Sequence, residues 1–161
     1  MGIFKRKHKV NPTELAQVLL NEFVNNTTLE AKPRLRMEVD KESYYRAKSR
    51  LYRIALVLMA LMSGEQKNPQ FSKVKESLEV LVFPESQEEG MLFLEEIKSA
   101  MRHLSELLFP AEKPREMSWA LTWLHDIGIE EANPVTLSLF AMRWLDSYVF
   151  ITETLREFSP T

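Results

Sequence analysis

The 161-residue chain contains no cysteine, which removes a disulfide framework, a thiolate metal site and a cysteine nucleophile together. That absence fits a reducing compartment. Only four glycines are present, too few for the Gly-rich loops with which nucleotide-binding folds cradle phosphates. Histidine is scarce as well, and His8, His103 and His125 are the whole set. The longest uninterrupted apolar run, Ile54 to Met62, is nine residues, far short of the roughly 18 a membrane-spanning helix needs. The opening MGIFKRKHKV is basic but no apolar h-region follows it, and Arg6 stands where a myristoylation site wants Ser or Thr. Neither a secretory signal nor a lipid anchor is expected, and the chain reads as cytoplasmic.

What is present suits a globular helical protein. The composition is 45% hydrophobic and 27% charged, with eight Met and nine Phe as soft, bulky core material. At this length one domain suffices, able to bury about 70% of the surface its unfolded chain exposes without a metal or disulfide staple. The net charge of −2 is unevenly spread: residues 1–53 carry 12 Lys and Arg against 6 Asp and Glu, residues 54–161 carry 9 against 17. Such asymmetry points either to an anionic partner for the first part or to two parts that face each other, within the fold or across a dimer. Overall acidity argues against nucleic acid, whose affinity rests largely on phosphate neutralisation.

Residues 1–10 read as a flexible basic arm. Ile3 and Phe4, beside Lys5, Arg6, Lys7 and Lys9, suit at most a weak contact with an anionic membrane surface. Residues 11–161 read as a single helical domain. A first helix starts at Asn11-Pro12, with Glu14 in capping-box position, buries Leu15, Val18, Leu19 and Phe23, and ends near Asn25-Asn26. Between Thr27 and Val39, Leu35, Met37 and Val39 alternate with Arg34, Arg36 and Glu38 after Pro33, which predicts an extended strap.

The second helix, Asp40 to Gly64, places Ala47, Leu51, Ile54, Leu58 and Met62 on one face and Arg46, Arg50 and Arg53 on another. It should be half exposed at its start and surrounded at its end. A third helix is expected from Pro69 to about Phe83, with Phe71, Val74, Leu78, Leu81 and Val82 inward. A fourth is expected from a capping box at Ser86 and Glu89 to the stop at Pro110, with Phe93, Ile97, Ala100, Met101, Leu104 and Leu108 inward. A fifth spans about Glu116 to Ile127 around Met117, Ala120, Leu121 and Leu124. The sixth runs from Asn133 to about Phe158 with two apolar stripes: Leu137, Ala141, Trp144, Tyr148, Ile151 and Leu155, and separately Val135, Met142, Leu145 and Val149. One stripe suffices for an outer helix, so two imply a central position or an intersubunit surface. The fold class is therefore all-α, a bundle of about six helices with helices two and six central.

Three constellations carry candidate chemistry. Arg46, Arg50 and Arg53, flanked by Tyr45 and Tyr52, are spaced to grip phosphates or carboxylates with tyrosines for stacking, or to pair with the acidic remainder of the chain. Trp119 and Trp123, with Trp144 and Tyr148 on the last helix, suit either core packing or a partner interface. The third is His125-Asp126-Ile127-Gly128, which closes the apolar segment ALTWLHDIG. It resembles the HD-domain metal-dependent phosphohydrolases, which are all-helical and carry an adjacent His-Asp at such a helix end. That resemblance implies a divalent metal held with an upstream His and a downstream Asp, for which His103 and Asp146 are the candidates. Ile129 stands where that family often has Lys. A histidine in a helix's last turn followed by a C′ glycine accounts for the same letters through the helix dipole. The reading that results is a non-enzymatic adaptor or regulatory protein acting through protein–protein contacts or as a homodimer, with no cofactor. The alternatives are an HD-like phosphohydrolase and, more weakly, an anion or nucleic-acid binder through the arginine stripe.

Overall fold

The starts of the helices are set by local side-chain chemistry. Asn11 is extended, at φ −68° and ψ 139°, and its Oδ1 accepts the Thr13 N–H at 2.8 Å, so α1 (Pro12–Leu19) begins on a satisfied donor with Pro at its first position. Asn11→Ala is expected to cost about 1 kcal/mol, read as a lower urea midpoint at unchanged m-value. Ser86 Oγ accepts the Glu89 N–H at 3.1 Å at the head of α4 (Gln87–Leu108). Asn68 Oδ1 takes the Gln70 N–H at 3.1 Å, but Pro69 and Gln70 form a turn and α3 (Phe71–Val82) begins two residues later than the Asn-Pro signal predicts.

The computed structural model describes residues 7–26, 39–108, 118–126 and 134–161. Alongside those three helices it has α2 (Val39–Glu65), α5 (Ser118–Asp126) and α6 (Pro134–Leu155), so the all-α expectation holds. The strap expected over Thr27–Val39 falls on residues 27–38, outside the described residues. α1 runs on into a π turn, Leu20–Val24, closed by the Asn25 N–H on the Leu20 carbonyl at 2.9 Å. The wider turn lets the consecutive Phe23 and Val24 both face inward with Leu15 and Leu19.

α2 is the central element and packs against α3, α4, α6 and the π turn, while α1 lies on α3. All five residues from Ile54 to Leu58 are buried, as expected of a surrounded segment. The N-terminal half departs from the expected face. Ala47 is exposed and Leu51 only half-buried, whereas Tyr45, Ser49, Tyr52 and Leu56, on the opposite side at spacings of four and three, are buried. Tyrosine brings far more apolar area than alanine, and burial follows area rather than the count of aliphatic letters. Leu81, Leu121 and Met62, also expected inward, are exposed.

The chain ends correct two further expectations. His8–Val10 is not a loose arm but a strand, β1, paired parallel with β2 (Phe158–Pro160) in the register His8 to Phe158, Lys9 to Ser159 and Val10 to Pro160. The last helix therefore stops at Leu155, three residues short of Phe158, because the Phe158 to Pro160 backbone is committed to that ladder. Residues 1–6 lie outside the described residues. Among the described residues no helix is long and apolar enough to cross a membrane.

Candidate functional site

Tyr52 is the hub of an aromatic cluster that joins α2, α4, α5 and α6. Its ring centroid lies 4.6 Å from Trp123, 5.6 Å from Trp144, 5.8 Å from Trp119 and 6.1 Å from His103. Trp123 is fully buried, edge-on to Phe140 at 4.9 Å and stacked on Trp144 at 5.6 Å. Lys48 places its ammonium 5.3 Å from the Trp123 ring, a cation–π contact at the rim of the cluster. Of the two readings of the tryptophans, core packing or a partner interface, all three take the core, and only Tyr148 of that group keeps partial exposure. None of the three indole N–H groups has a hydrogen-bond partner among the described residues.

One polar pair sits at the edge of this cluster. The Tyr52 hydroxyl and His103 Nδ1 are 2.6 Å apart, and the His103 ring stacks on Trp119 at 5.2 Å and 6°. Burial first, with Tyr44 adding to it, holds the Tyr52 phenol well above its ordinary range. Burial also lowers the His103 pKa; Lys48 and Arg102 act in the same direction and Glu106 opposes them. Both shifts favour one arrangement, a phenol O–H donating to a neutral imidazole. A histidine whose folded-state pKa is depressed binds fewer protons folded than unfolded just below its ordinary value. Stability should therefore fall as pH drops below the ordinary 6.5, down to the folded pKa. In urea titrations at pH 7.5 and 5.5, His103→Gln should lose that part of the slope; an unchanged slope would place it elsewhere.

The arginine stripe is dispersed by the fold. Arg53 is buried and its Nε–H donates to the Val24 carbonyl at 2.8 Å, while Arg50 Nε–H reaches Asn25 Oδ1 at 3.2 Å. Both side chains meet the C-terminal end of the π turn, where a helix's free carbonyls and dipole favour cations. These two contacts go to a backbone carbonyl and to an asparagine side chain of the π turn. Arg46 stays exposed, and Tyr45 and Tyr52 are in the core. A cleft of about 410 Å³ remains between α2 and α4, lined among others by Tyr44, Lys48, Arg50, Phe93, Glu96 and His103. It sets cations against a carboxylate and has no single-sign field to select an anion.

The residues of the HD-like set are placed as follows. His103 is turned to Tyr52, His125 is exposed in the last turn of α5, and Asp146 is exposed on the outer side of α6. The Asp126 side chain, Ile127 and Gly128 lie outside the described residues. Among the described residues no three of His, Cys, Asp and Glu come together to hold a metal ion.

The largest chemical anomaly is on α6. Phe140, Trp144, Ile151 and Leu155 are buried, so the Trp144 stack on Tyr52 and Trp123 sets the rotation of the helix about its axis. That rotation turns the second stripe to water. Val135, Leu139, Met142, Leu145, Val149 and Phe150 are between 39% and 66% exposed. Phe150 is held at the edge of the stripe by an edge-on contact with Phe23 at 5.5 Å. Scattered exposed hydrophobics need no explanation, but six on one helix face, with Ser138 and Asp146 among them, expose apolar surface on the order of 500 Å², near the upper end for a monomer surface. The two-stripe reading of the last helix already contained Val135, Met142, Leu145 and Val149. Leu139 and Phe150 were missed, although their offsets of four and eight from Val135 and Met142 put them on the same side of a helical wheel. No family model, curated protein or solved structure matches this chain.

Proposed function

We propose that this chain is a non-enzymatic helical protein that works through protein–protein contact made by the outer face of α6. The observation that carries the reading is the division of α6 into two apolar faces, one buried under Trp144 and one open along Val135, Leu139, Met142, Leu145 and Val149. Ser138 and Asp146 stand among these apolar residues and Arg143 at their edge, so the face carries polar groups that can orient a partner as well as apolar area to bury. Its residues are held on a helix whose other side is locked into the core, so the surface is rigid before it meets a partner. That lowers the ordering cost of association.

Site-specific photocrosslinking in cells tests this. Benzoylphenylalanine at position 139 or 149 should yield a discrete adduct, lost when Leu145→Glu is introduced, whereas the same group at position 88, on the exposed start of α4, should not. Equal adduct formation at all three positions, or none at 139 and 149, would overturn the reading. The Leu145→Glu variant itself should keep its helical circular dichroism and its melting temperature, because the side chain already stands partly in water.

A further inference from the structure

We infer that the occupant of the α6 face is a second copy of this chain, paired antiparallel about a two-fold axis through Met142; this rests on the reading of that face as a contact surface. The five residues from Val135 to Val149 read the same in both directions, and Phe150 at the edge of the stripe falls opposite Pro134. Val135 and Val149 lie seven residues on either side of Met142, and Leu139 and Leu145 lie three on either side. A translational heptad continued from Val135, Leu139 and Met142 would next require an apolar residue at 146, where the chain has Asp146. The pattern is therefore a mirror rather than a repeat. When a copy is laid antiparallel on it, Val meets Val, Leu meets Leu and Met142 meets Met142, which is the self-complementarity an isologous two-fold interface requires.

Charge separates this arrangement from the parallel one. In a parallel, in-register pair Asp146 would face Asp146 and Glu153 would face Glu153, both exposed carboxylates on the same side of the helix as the stripe. In the antiparallel pair Asp146 faces Ser138, four residues on the other side of Met142, which supplies a hydroxyl donor in place of a like charge. The long Arg143 faces the short Ala141, so bulk meets space. The two helix dipoles also run head to tail in this pairing and head to head in the other. From Val135 to Val149 the stripe is about 21 Å long at ~1.5 Å per residue. Two such faces bury roughly 1,000 Å², the lower bound for a specific interface, where weak and transient pairs lie.

The absence of native cysteine makes the geometry directly readable. Met142→Cys, oxidised with copper phenanthroline at micromolar chain concentration, should give a disulfide-linked dimer much faster than Glu88→Cys on α4. Leu139→Cys alone and Leu145→Cys alone should link slowly, because each residue is offset from its own copy by six residues, about 9 Å along the axis, beyond the reach of a disulfide. A mixture of those two variants should link quickly, to each other. Fast self-linking of Leu139→Cys and Leu145→Cys separately would mean a parallel pair, and Met142→Cys no faster than Glu88→Cys would mean no pair; either overturns the inference. The photocrosslinking separates this from failure of the broader reading. An adduct at 139 that is not twice the chain mass keeps the contact surface and removes the second copy as its occupant. Sedimentation of Leu139→Glu, which should be monomeric where the parent chain dimerises, checks the same point without cysteine.

Discussion

Trp123→Ala is expected to destabilise the fold by about 3–5 kcal/mol, the range for deleting a large aromatic side chain from a core that relaxes only in part. The residue is fully buried and touches Tyr45, Tyr52, Phe140 and Trp144, so its removal opens one void bordered by α2, α5 and α6. Trp119, which retains slight exposure at the rim, should lose less under the same substitution. In a chain of this size the Trp123 change corresponds to a melting temperature lower on the order of 10 °C. Thermal unfolding followed by far-UV circular dichroism reads the loss, and a drop of under about 1 kcal/mol would show that the cluster is not the cohesive centre of the bundle. Because Trp144 sets the rotation of α6 and stacks on Trp123, the same variant should also weaken the proposed pairing through α6, with the outer stripe itself unchanged.

Arg53→Met should cost about 2–3 kcal/mol, for a different reason. The methionine keeps most of the aliphatic stem but removes the donor that reaches the buried Val24 carbonyl at 2.8 Å. A buried acceptor stripped of its charged donor loses more than the net worth of the bond, since water does not replace it. Arg53→Lys should recover only part of the loss, because an ammonium on a flexible stem does not reproduce the fixed direction of the guanidinium Nε–H. Arg50→Ala, whose bond to Asn25 is at the surface, should cost well under 1 kcal/mol. Hydrogen exchange localises the effect: the Asn25 amide, bonded to the Leu20 carbonyl across the π turn, should exchange faster in Arg53→Met while α4 amides are unaffected. A variant within about 0.5 kcal/mol of the parent would show that the π turn holds without this tie.

These two residues also mark where periodicity stops being informative. Arg46, Arg50 and Arg53 lie on one side of α2 and read as one unit, but a wheel gives direction and not surroundings. Arg53 meets the end of a π turn 29 residues earlier in the chain, and nothing in its own helix announces that. The tryptophans show the converse. Four residues apart on a short helix, they were legible as core or interface, and the choice fell to the core because both pack on Tyr52 and Trp123 also stacks on Trp144.

Local chemistry by itself determined that the chain is helical, that α1 starts at Asn11 and α4 at Ser86, that Ile54 to Leu58 lie inside and that the last helix carries two apolar faces. Capping and burial of an uninterrupted apolar run depend on residues within a few turns of each other, so they are written where they act. Tertiary structure alone decided which of the two faces of α6 is left open, that Tyr45 and Tyr52 outrank Ala47 for the interior, and that the chain ends pair as β1 and β2. Each of those outcomes depends on competition between side chains far apart in sequence for a limited buried volume, and close packing lets only one arrangement win.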